Sequence, residues 1–147
     1  MRTFLSLKIG WALVIYALVD IVCTGFGMGI PIFCIFLGLP VGWYIIRQVT
    51  ARSLSTREIL QKTLVGATLT SAITLVLMAL VWAKTITMLF DPSADLANFG
   101  IPMILYEPAA SFIGWVILMI FISPILQFLV TLFGAHLTWL WVLSDST

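Results

Sequence analysis

Charged side chains are scarce in this sequence. The 147 residues include 7 lysine and arginine residues and 6 aspartate and glutamate residues, together 9% of the chain, whereas 62% of the residues are hydrophobic. An ordinary soluble domain cannot bury that much apolar surface, so a soluble enzyme or soluble binding domain is excluded. The formal net charge of +1 gives no electrostatic argument for binding nucleic acid. With a mean hydropathy of +1.18, the composition predicts a protein whose surroundings are the lipid bilayer.

Residues suited to metal binding or redox chemistry are also few. The single histidine, His136, cannot form a multi-histidine metal site, and no spacing suggests a second haem ligand. We interpret it as an interfacial or backbone-bonded side chain. Cys23 and Cys34 form no Cys-x-x-Cys motif and lie at unequal depths across a predicted hairpin, so we interpret them as small buried residues. The sequence therefore predicts no cofactor and no enzymatic activity; a membrane redox enzyme using both cysteines is a third alternative.

Two apolar runs joined by a glycine-dense turn organise the N-terminal part. We predict membrane spans at about 5–23 and 28–46, and the glycines of the turn allow the backbone to double back tightly. Each run reaches the roughly 20 helical residues that a hydrocarbon core of about 30 Å requires. The two spans therefore form a tight helical hairpin. A signal peptide is the alternative for the first run, but no small-x-small cleavage site follows it.

Residues 47–62 form the only polar stretch of any length, and it carries four basic residues, Arg47, Arg52, Arg57 and Lys62. Within it, Ser55 and Glu58 have the spacing of a capping box at a helix start. A long third helix therefore begins before the membrane, with its span at 64–84, and ends before Asp91-Pro92.

The C-terminal third combines a loop with a long apolar run. Residues 91–108 lack helical periodicity, so we predict an extramembrane loop that dips into the interface; a re-entrant segment is the alternative. A single straight helix over 109–143 would extend about 50 Å, well beyond a bilayer core, and Pro124 should kink it. We expect a Pro-kinked fourth span at 109–133 and an interfacial C-terminal piece at 134–147. Two short spans are the alternative.

The distribution of basic residues predicts the orientation. If four spans place both termini in the cytoplasm, only Lys84 of the seven basic residues lies outside, as the positive-inside rule requires. Tryptophan and tyrosine residues then fall at both membrane boundaries. We predict an all-α integral membrane protein with four transmembrane helices, forming a single domain over 1–147 in the plasma (inner) membrane. The basic loop would be cytoplasmic and the loop at 91–108 extracytoplasmic.

Three titratable residues are candidates for a polar or pathway site. Asp20 is the only carboxylate inside an apolar run, and an ionisable group there is costly enough to suggest a function. In the structural alternative it lies near the headgroups or accepts hydrogen bonds from the Thr24 hydroxyl and the turn amides. Glu107 precedes Pro108, where a carboxylate suits the start of a helix. His136 is the third candidate.

Small residues give the strongest pattern. Four glycines stand in pairs four residues apart, which permits close helix packing within or between chains: Gly25, Gly29, Gly38 and Gly42. Abundant packing motifs and scarce chemistry predict a non-enzymatic interaction protein, either an accessory or assembly subunit of a membrane complex or a homo-oligomer. Its partners would be other membrane subunits or further copies of itself. The alternative is an oligomeric ion or small-solute pathway that uses Asp20.

Overall fold

The computed structural model describes four stretches of the chain, residues 9–26, 31–51, 55–98 and 102–144. Within them 86% of residues are helical and none lies in a β-strand. The predicted all-helical fold is confirmed at this level. Three helices are long and apolar enough to cross a membrane, which supports the predicted membrane location.

The described residues form five α-helices. In chain order they are α1 (Ile9–Phe26), α2 (Ile32–Thr50), α3 (Thr56–Thr87), α4 (Pro108–Ile117) and α5 (Ser123–Ser144). A 3-10 turn, Met88–Phe90, extends α3, and a π-helical segment, Leu118–Ile122, joins α4 and α5 into one continuous helix. The three potential membrane-crossing stretches are α2, α3 with its 3-10 turn, and the helix formed by α4 and α5. The apolar stretch of α1 is shorter.

The bundle has two distinct ends. We call the end where α2 finishes and α3 begins the basic end, because Arg47 lies there with its guanidinium 5.1 Å from the ring centre of Trp141 in α5. We call the opposite end, where α3 finishes and α4 begins, the loop end. A buried hydrophobic cluster fills each end: Ile46, Val49, Ile59 and Ala135 at the basic end, and Trp82, Phe112, Val116, Met119 and Ile120 at the loop end.

The start of α3 confirms the predicted capping box. The Ser55 hydroxyl accepts a hydrogen bond from the Glu58 backbone N–H, and the Glu58 carboxylate accepts one from the Ser55 N–H at 3.0 Å. The first unpaired amides of the helix are thereby satisfied. The helix begins at Thr56, before the predicted span at 64–84, as the capping box indicates.

The C-terminal helix is continuous across the predicted boundary between a span and an interfacial piece. α5 continues past Phe133 to Ser144, so the helix has no break there, and the point at which it leaves the membrane stays a prediction. Gly134, which the prediction placed at the start of that piece, lies inside the helix and packs against α2: a Cβ atom there would stand 2.8 Å from the Leu39 carbonyl oxygen. This glycine therefore serves helix contact and does not end the helix.

A widened turn accommodates Pro124 in the same helix. In the π-helical segment before it, the Ser123 backbone N–H bonds the Leu118 carbonyl five residues earlier, and the Ser123 hydroxyl donates to the same oxygen at 2.8 Å. A proline lacks an N–H and its ring clashes with the preceding turn of a regular α-helix. The π-helical segment moves the backbone out of that regular geometry.

Candidate functional site

The buried face of α1 is polar, although the helix as a whole is apolar. Tyr16, Asp20 and Thr24 follow one another at four-residue spacing and are all buried, whereas Leu18 and Ile21 between them are exposed. Four-residue spacing places side chains on one side of a helix. A polar inner face and an apolar outer face suit a helix whose outer surface is covered by lipid.

Asp20 is linked to α3 through Thr74. The Thr74 hydroxyl donates a hydrogen bond to Oδ2 of Asp20 at 2.7 Å, and the Tyr16 hydroxyl lies 2.6 Å from the same threonine oxygen. Thr74 has one hydroxyl proton, which it gives to the carboxylate, so Tyr16 donates to Thr74. The three side chains form a linear chain of hydrogen bonds that ends on the carboxylate.

The α2 side of the cluster is formed by Cys34. Its sulfur lies 3.3 Å from the Thr24 hydroxyl and donates weakly to the Asp20 backbone carbonyl at 3.8 Å. The sequence suggested that Thr24 would bond the Asp20 carboxylate; the structure places its hydroxyl against Cys34 instead. Cys23 and Cys34 are both free thiols.

The Asp20 carboxylate is only half satisfied. Its residue is 0% exposed, and its second oxygen, Oδ1, has no hydrogen-bond partner among the described residues. The basic residues of α3 lie toward its ends: Lys84 is ten residues beyond Thr74, about 15 Å along the axis, and Lys62 is farther still. A buried charge without a partner is strongly unfavourable, so the open oxygen requires an explanation.

A second buried polar layer surrounds Gln127 of α5. Its amide nitrogen lies 3.3 Å from the Thr131 hydroxyl and 3.5 Å from the Thr70 hydroxyl, which donate their own protons to backbone carbonyls. These hydroxyls can only accept, so the amide must present its NH₂ group to them. The Gln127 carbonyl oxygen, Oε1, is thereby left without a partner in the described part of the chain.

The two layers are neighbours. Thr70 and Thr74 stand one turn apart on α3, so the layers are separated by about 6 Å along that helix. Between them on α3, the Ser71 hydroxyl donates to the Pro124 carbonyl at 2.6 Å. The sequence reasoning missed Thr74 and Gln127. A signal was available, because the threonines of α3 recur on one helix face and Gln127 is the only amide side chain in its apolar run.

The other two titratable candidates lie apart from Asp20. The Glu107 carboxylate is at the loop end, where it accepts a hydrogen bond from the Ala110 backbone N–H at the start of α4. His136 is exposed on α5, two residues after the basic-end contact of Gly134 with α2. The structure does not bring the three candidates together, and no group of three histidine, cysteine or acidic residues in the described stretches could hold a metal ion.

The predicted packing glycines have different environments. Gly38 and Gly42 lie against the α5 backbone, where added Cβ atoms would meet Thr131 and Ala135. At Gly25, the described part of the chain places nothing within 4 Å of the position of such an atom. Gly29 lies outside the described residues.

A large cavity opens beside the polar layers. It has a volume of about 980 Å³ and lies between α1, α2 and α3 in their basic-end halves. Its walls are mainly apolar, including Leu13, Val41 and Leu69, while its polar residues at the basic end include Gln61 and Lys62.

Comparison of the chain with family models, with curated proteins and with solved structures finds no match. The chemistry of the site follows from its own residues. A carboxylate with one occupied and one open oxygen can bind a proton or a small cation, and the hydroxyl chain through Thr74 to Tyr16 holds it in one orientation.

Proposed function

We propose that this protein is a subunit of an oligomeric ion pathway in a membrane, with Asp20 as the binding site for a proton or small cation. The observation that carries the proposal is the Oδ1 oxygen of Asp20, which has no hydrogen-bond partner among the described residues although the residue is 0% exposed. Ionisable groups inside membrane helices are costly and are characteristic of proton and ion pathways. Oxygen is also the donor atom that hard cations prefer.

The packing glycines help to choose between an ion pathway and a non-enzymatic interaction protein. The expectation of an interaction protein depended largely on the small-residue motifs. Gly38 and Gly42 are already occupied by α5 of the same chain, so their spacing no longer requires a second protein. Among the described residues, the Oδ1 oxygen of the buried Asp20 carboxylate has no such partner.

We further propose that α1 is a fourth membrane span and that both termini are cytoplasmic, in the plasma membrane. Hydrogen bonds from the inner face of α1 to Cys34 and Thr74 support its place in the bundle. The contact between Arg47 and Trp141 supports a common side for the basic loop and the end of α5. The positive-inside rule then assigns that side to the cytoplasm.

Several copies are required for a complete pathway. One chain supplies one intramembrane acid, and its α2 and α5 backbones are in direct contact at Gly38, so little space remains for a conduction route between these helices. An assembly of copies would bring several carboxylates around a shared route.

The test is ion flux through the purified protein reconstituted in vesicles, measured with a pH-sensitive dye and, separately, with cation-sensitive dyes. We expect Asp20→Asn to reduce flux to the level of empty vesicles, because the amide cannot exchange a proton or neutralise a cation. The Asn side chain retains an oxygen that can accept the hydrogen bond from the Thr74 hydroxyl. The free energy of unfolding of the variant in detergent should therefore remain close to that of the wild type. The matched control is Asp95→Asn in the exposed loop, which should keep wild-type flux. Full flux in a folded Asp20→Asn variant would refute the proposal.

The second candidate is the non-enzymatic accessory or assembly subunit. It is favoured by Gly25, because no atom of the described residues lies within 4 Å of its Cβ position and a helix of another chain could approach its backbone. Gentle extraction from the native membrane, followed by mass spectrometry and a native mass, distinguishes the two roles. Other proteins that co-purify in stoichiometric amounts with the wild type, but not with Gly25→Leu, would support this role. A homo-oligomer whose native mass is the same in Gly25→Leu would count against it.

A further inference from the structure

The chain of hydrogen bonds that ends on Asp20 begins at the wall of the cavity. Tyr16 lines the cavity and is 6% exposed, whereas Thr74 and Asp20 are both 0% exposed. The Tyr16 hydroxyl lies 2.6 Å from the Thr74 hydroxyl, which in turn lies 2.7 Å from Oδ2 of Asp20. The chain therefore connects the cavity with a fully buried carboxylate.

The cavity leads from Tyr16 toward the basic end of the bundle. Along α3 its lining runs from Thr70 to Glu58, a distance of about 18 Å at 1.5 Å per residue. Its volume of about 980 Å³ is far above the roughly 10–15 Å³ that one water molecule requires. Gln61 and Lys62 offer polar partners to water at the basic end, and Tyr16 offers one at the deep end.

The hydroxyls of the chain can point in either direction without movement of a carbon or oxygen atom. With Asp20 ionised, Tyr16 donates to Thr74 and Thr74 donates to the carboxylate. With a proton on Oδ2, the carboxylic acid donates to Thr74 and Thr74 donates to Tyr16, because each of these oxygens can donate or accept. A proton can therefore pass along the chain by exchange of O–H bonds.

We propose that this chain carries protons from the basic-end cavity to Asp20, which identifies the proton as the ion of the proposed pathway. A hydronium ion in the cavity gives a proton to the Tyr16 oxygen, while Tyr16 passes its own proton to Thr74 and Thr74 passes its own to Oδ2 of Asp20. One O–H bond of hydronium breaks, one forms on the carboxylate, and each hydroxyl keeps one proton. The inference rests on the proposed ion pathway, because Asp20 must be its ion-binding group.

The same geometry does not suit a metal cation. A proton is exchanged between oxygens that stay 2.6 and 2.7 Å apart, whereas a cation would have to pass between them. Cation sites in transporters also use the backbone carbonyls of unwound helices. Asp20 and Thr74 lie inside the regular helices α1 and α3, whose carbonyls are engaged in helical hydrogen bonds.

The test is proton flux through the purified protein in vesicles, measured with a pH-sensitive dye. Tyr16→Phe removes the first hydroxyl of the chain but keeps the ring, so we expect flux to fall about 100-fold, a typical contribution of a positioned proton-transfer group. The control is Tyr106→Phe, since Tyr106 is fully exposed at the loop end and should keep wild-type flux. Wild-type flux in a folded Tyr16→Phe variant, or equal losses in both variants, would overturn the proposal.

Two substitutions of Thr74 separate proton transfer from packing. Thr74→Ser keeps the hydroxyl and loses the methyl group, whereas Thr74→Val keeps the shape and loses the hydroxyl. We expect flux per folded protein to stay close to wild type in Thr74→Ser and to fall about 100-fold in Thr74→Val. A residue that only packs α1 against α3 would give the reverse order, and that result would overturn the proposal.

Entry through the cavity is tested by filling it. Ala12→Trp places an indole there from α1 and Leu69→Trp does so from α3, so each should lower proton flux even if the other fails to fold. Val14→Trp is the control, because Val14 is exposed on α1 and does not line the cavity. Unchanged flux in both cavity variants would exclude the cavity as the entry.

Asp20→Asn distinguishes failure of this inference from failure of the proposed function. Full flux in that variant would refute the ion pathway itself. Flux that is lost in Asp20→Asn but kept in Tyr16→Phe would leave the pathway in place and overturn the hydroxyl chain as its route. An Asp20-dependent flux of sodium or potassium ions without proton flux would have the same meaning.

Discussion

Gly38 and Thr131 bring the backbones of α2 and α5 into contact without an intervening side chain. A Cβ atom on Gly38 would stand 2.8 Å from the Thr131 backbone nitrogen and 2.8 Å from the Gln127 carbonyl oxygen. Real Cβ atoms do not approach backbone atoms so closely, and a backbone cannot move aside as a flexible side chain can. We predict that Gly38→Ala destabilises the protein by about 1–3 kcal/mol, the usual cost of overpacking. Unfolding in mixed micelles measures this.

Gly25 and Gly10 in α1 are the matched controls, because no atom of the described residues lies within 4 Å of either Cβ position. Alanine at these positions should leave stability unchanged or raise it by up to about 1 kcal/mol, since alanine is the better helix former. Equal losses in Gly38→Ala and Gly25→Ala would show that close packing is not the cause.

These glycines also show how far the sequence could predict the packing. Four-residue spacing identified Gly38 and Gly42 as sites of close approach. It identified Gly25 equally, although no described residue lies within 4 Å of the Gly25 Cβ position. The difference lies in the partner: Gly134, which offers the matching flat surface, is more than 90 residues away along the chain. Spacing within one helix carries no information about which helix will lie against it.

The Asp20 site was predictable only in part. A lone carboxylate in an apolar run identified Asp20 itself, because such a residue is rare and costly. Its main partner was not identified, since Thr74 is 54 residues away and joins Asp20 only when α1 packs on α3. The local residue Thr24 was the natural choice from the sequence, but on the same helix face it points to Cys34. Helix ends were more predictable, because the caps at Ser55 and Glu107 depend only on neighbouring residues.

The hydrogen bond from Thr74 to Asp20 leads to a second prediction. Replacing Thr74 by valine preserves the shape of the side chain but removes the hydrogen bond that its hydroxyl donates to Oδ2 of Asp20. Hydrogen bonds between neutral groups in membrane helices average about 0.6 kcal/mol. Bonds to charged groups are worth about 1.5–3 kcal/mol. We expect Thr74→Val to cost at least about 1.5 kcal/mol in mixed-micelle unfolding, which would identify Asp20 as ionised.

Thr63→Val is the control for that substitution. Thr63 is buried on the same helix, but its hydroxyl donates at 2.8 Å to the Ile59 carbonyl, which already takes part in the helix. Its loss should cost less than about 0.6 kcal/mol. The effect of Thr74→Val should also shrink in an Asp20→Asn background, as a double-mutant cycle would measure. Equal costs at the two threonines would mean that the bond to Asp20 has no special strength.

The exposed turn around Asp95, after α3, provides a pH-dependent prediction. The side-chain amide and backbone N–H of Asn98, together with the Ala97 N–H, donate to the Asp95 carboxylate and lower its pKa below the ordinary value of 3.8. A lowered pKa in the folded loop means that ionised Asp95 stabilises the turn above pH 3.8. That contribution is lost as the pH falls through the lower, folded value. NMR titration of the Asp95 carboxyl carbon should give a midpoint below 3.8 that moves toward 3.8 in Asn98→Ala. An unchanged midpoint in the variant would exclude the amide as the cause.

Replacing Gln127 by an apolar residue should not destabilise the protein, in contrast to Thr74→Val, although both residues are fully buried and polar. The hydrogen bonds of its amide nitrogen, at 3.3 and 3.5 Å, are longer than the usual 2.7–3.2 Å, and its Oε1 oxygen has no partner among the described residues. Burying such an unpaired oxygen costs about 1–3 kcal/mol. Methionine has a similar length and no polar group that needs a partner, and the neighbouring threonine protons are already bound to backbone carbonyls. We therefore expect the free energy of unfolding of Gln127→Met to be at most about 0.5 kcal/mol below that of the wild type, or to exceed it. A loss above about 1 kcal/mol would mean that Oε1 is paired in the membrane, by water or by another chain, and that Gln127 belongs with Asp20 to a functional route through the bundle.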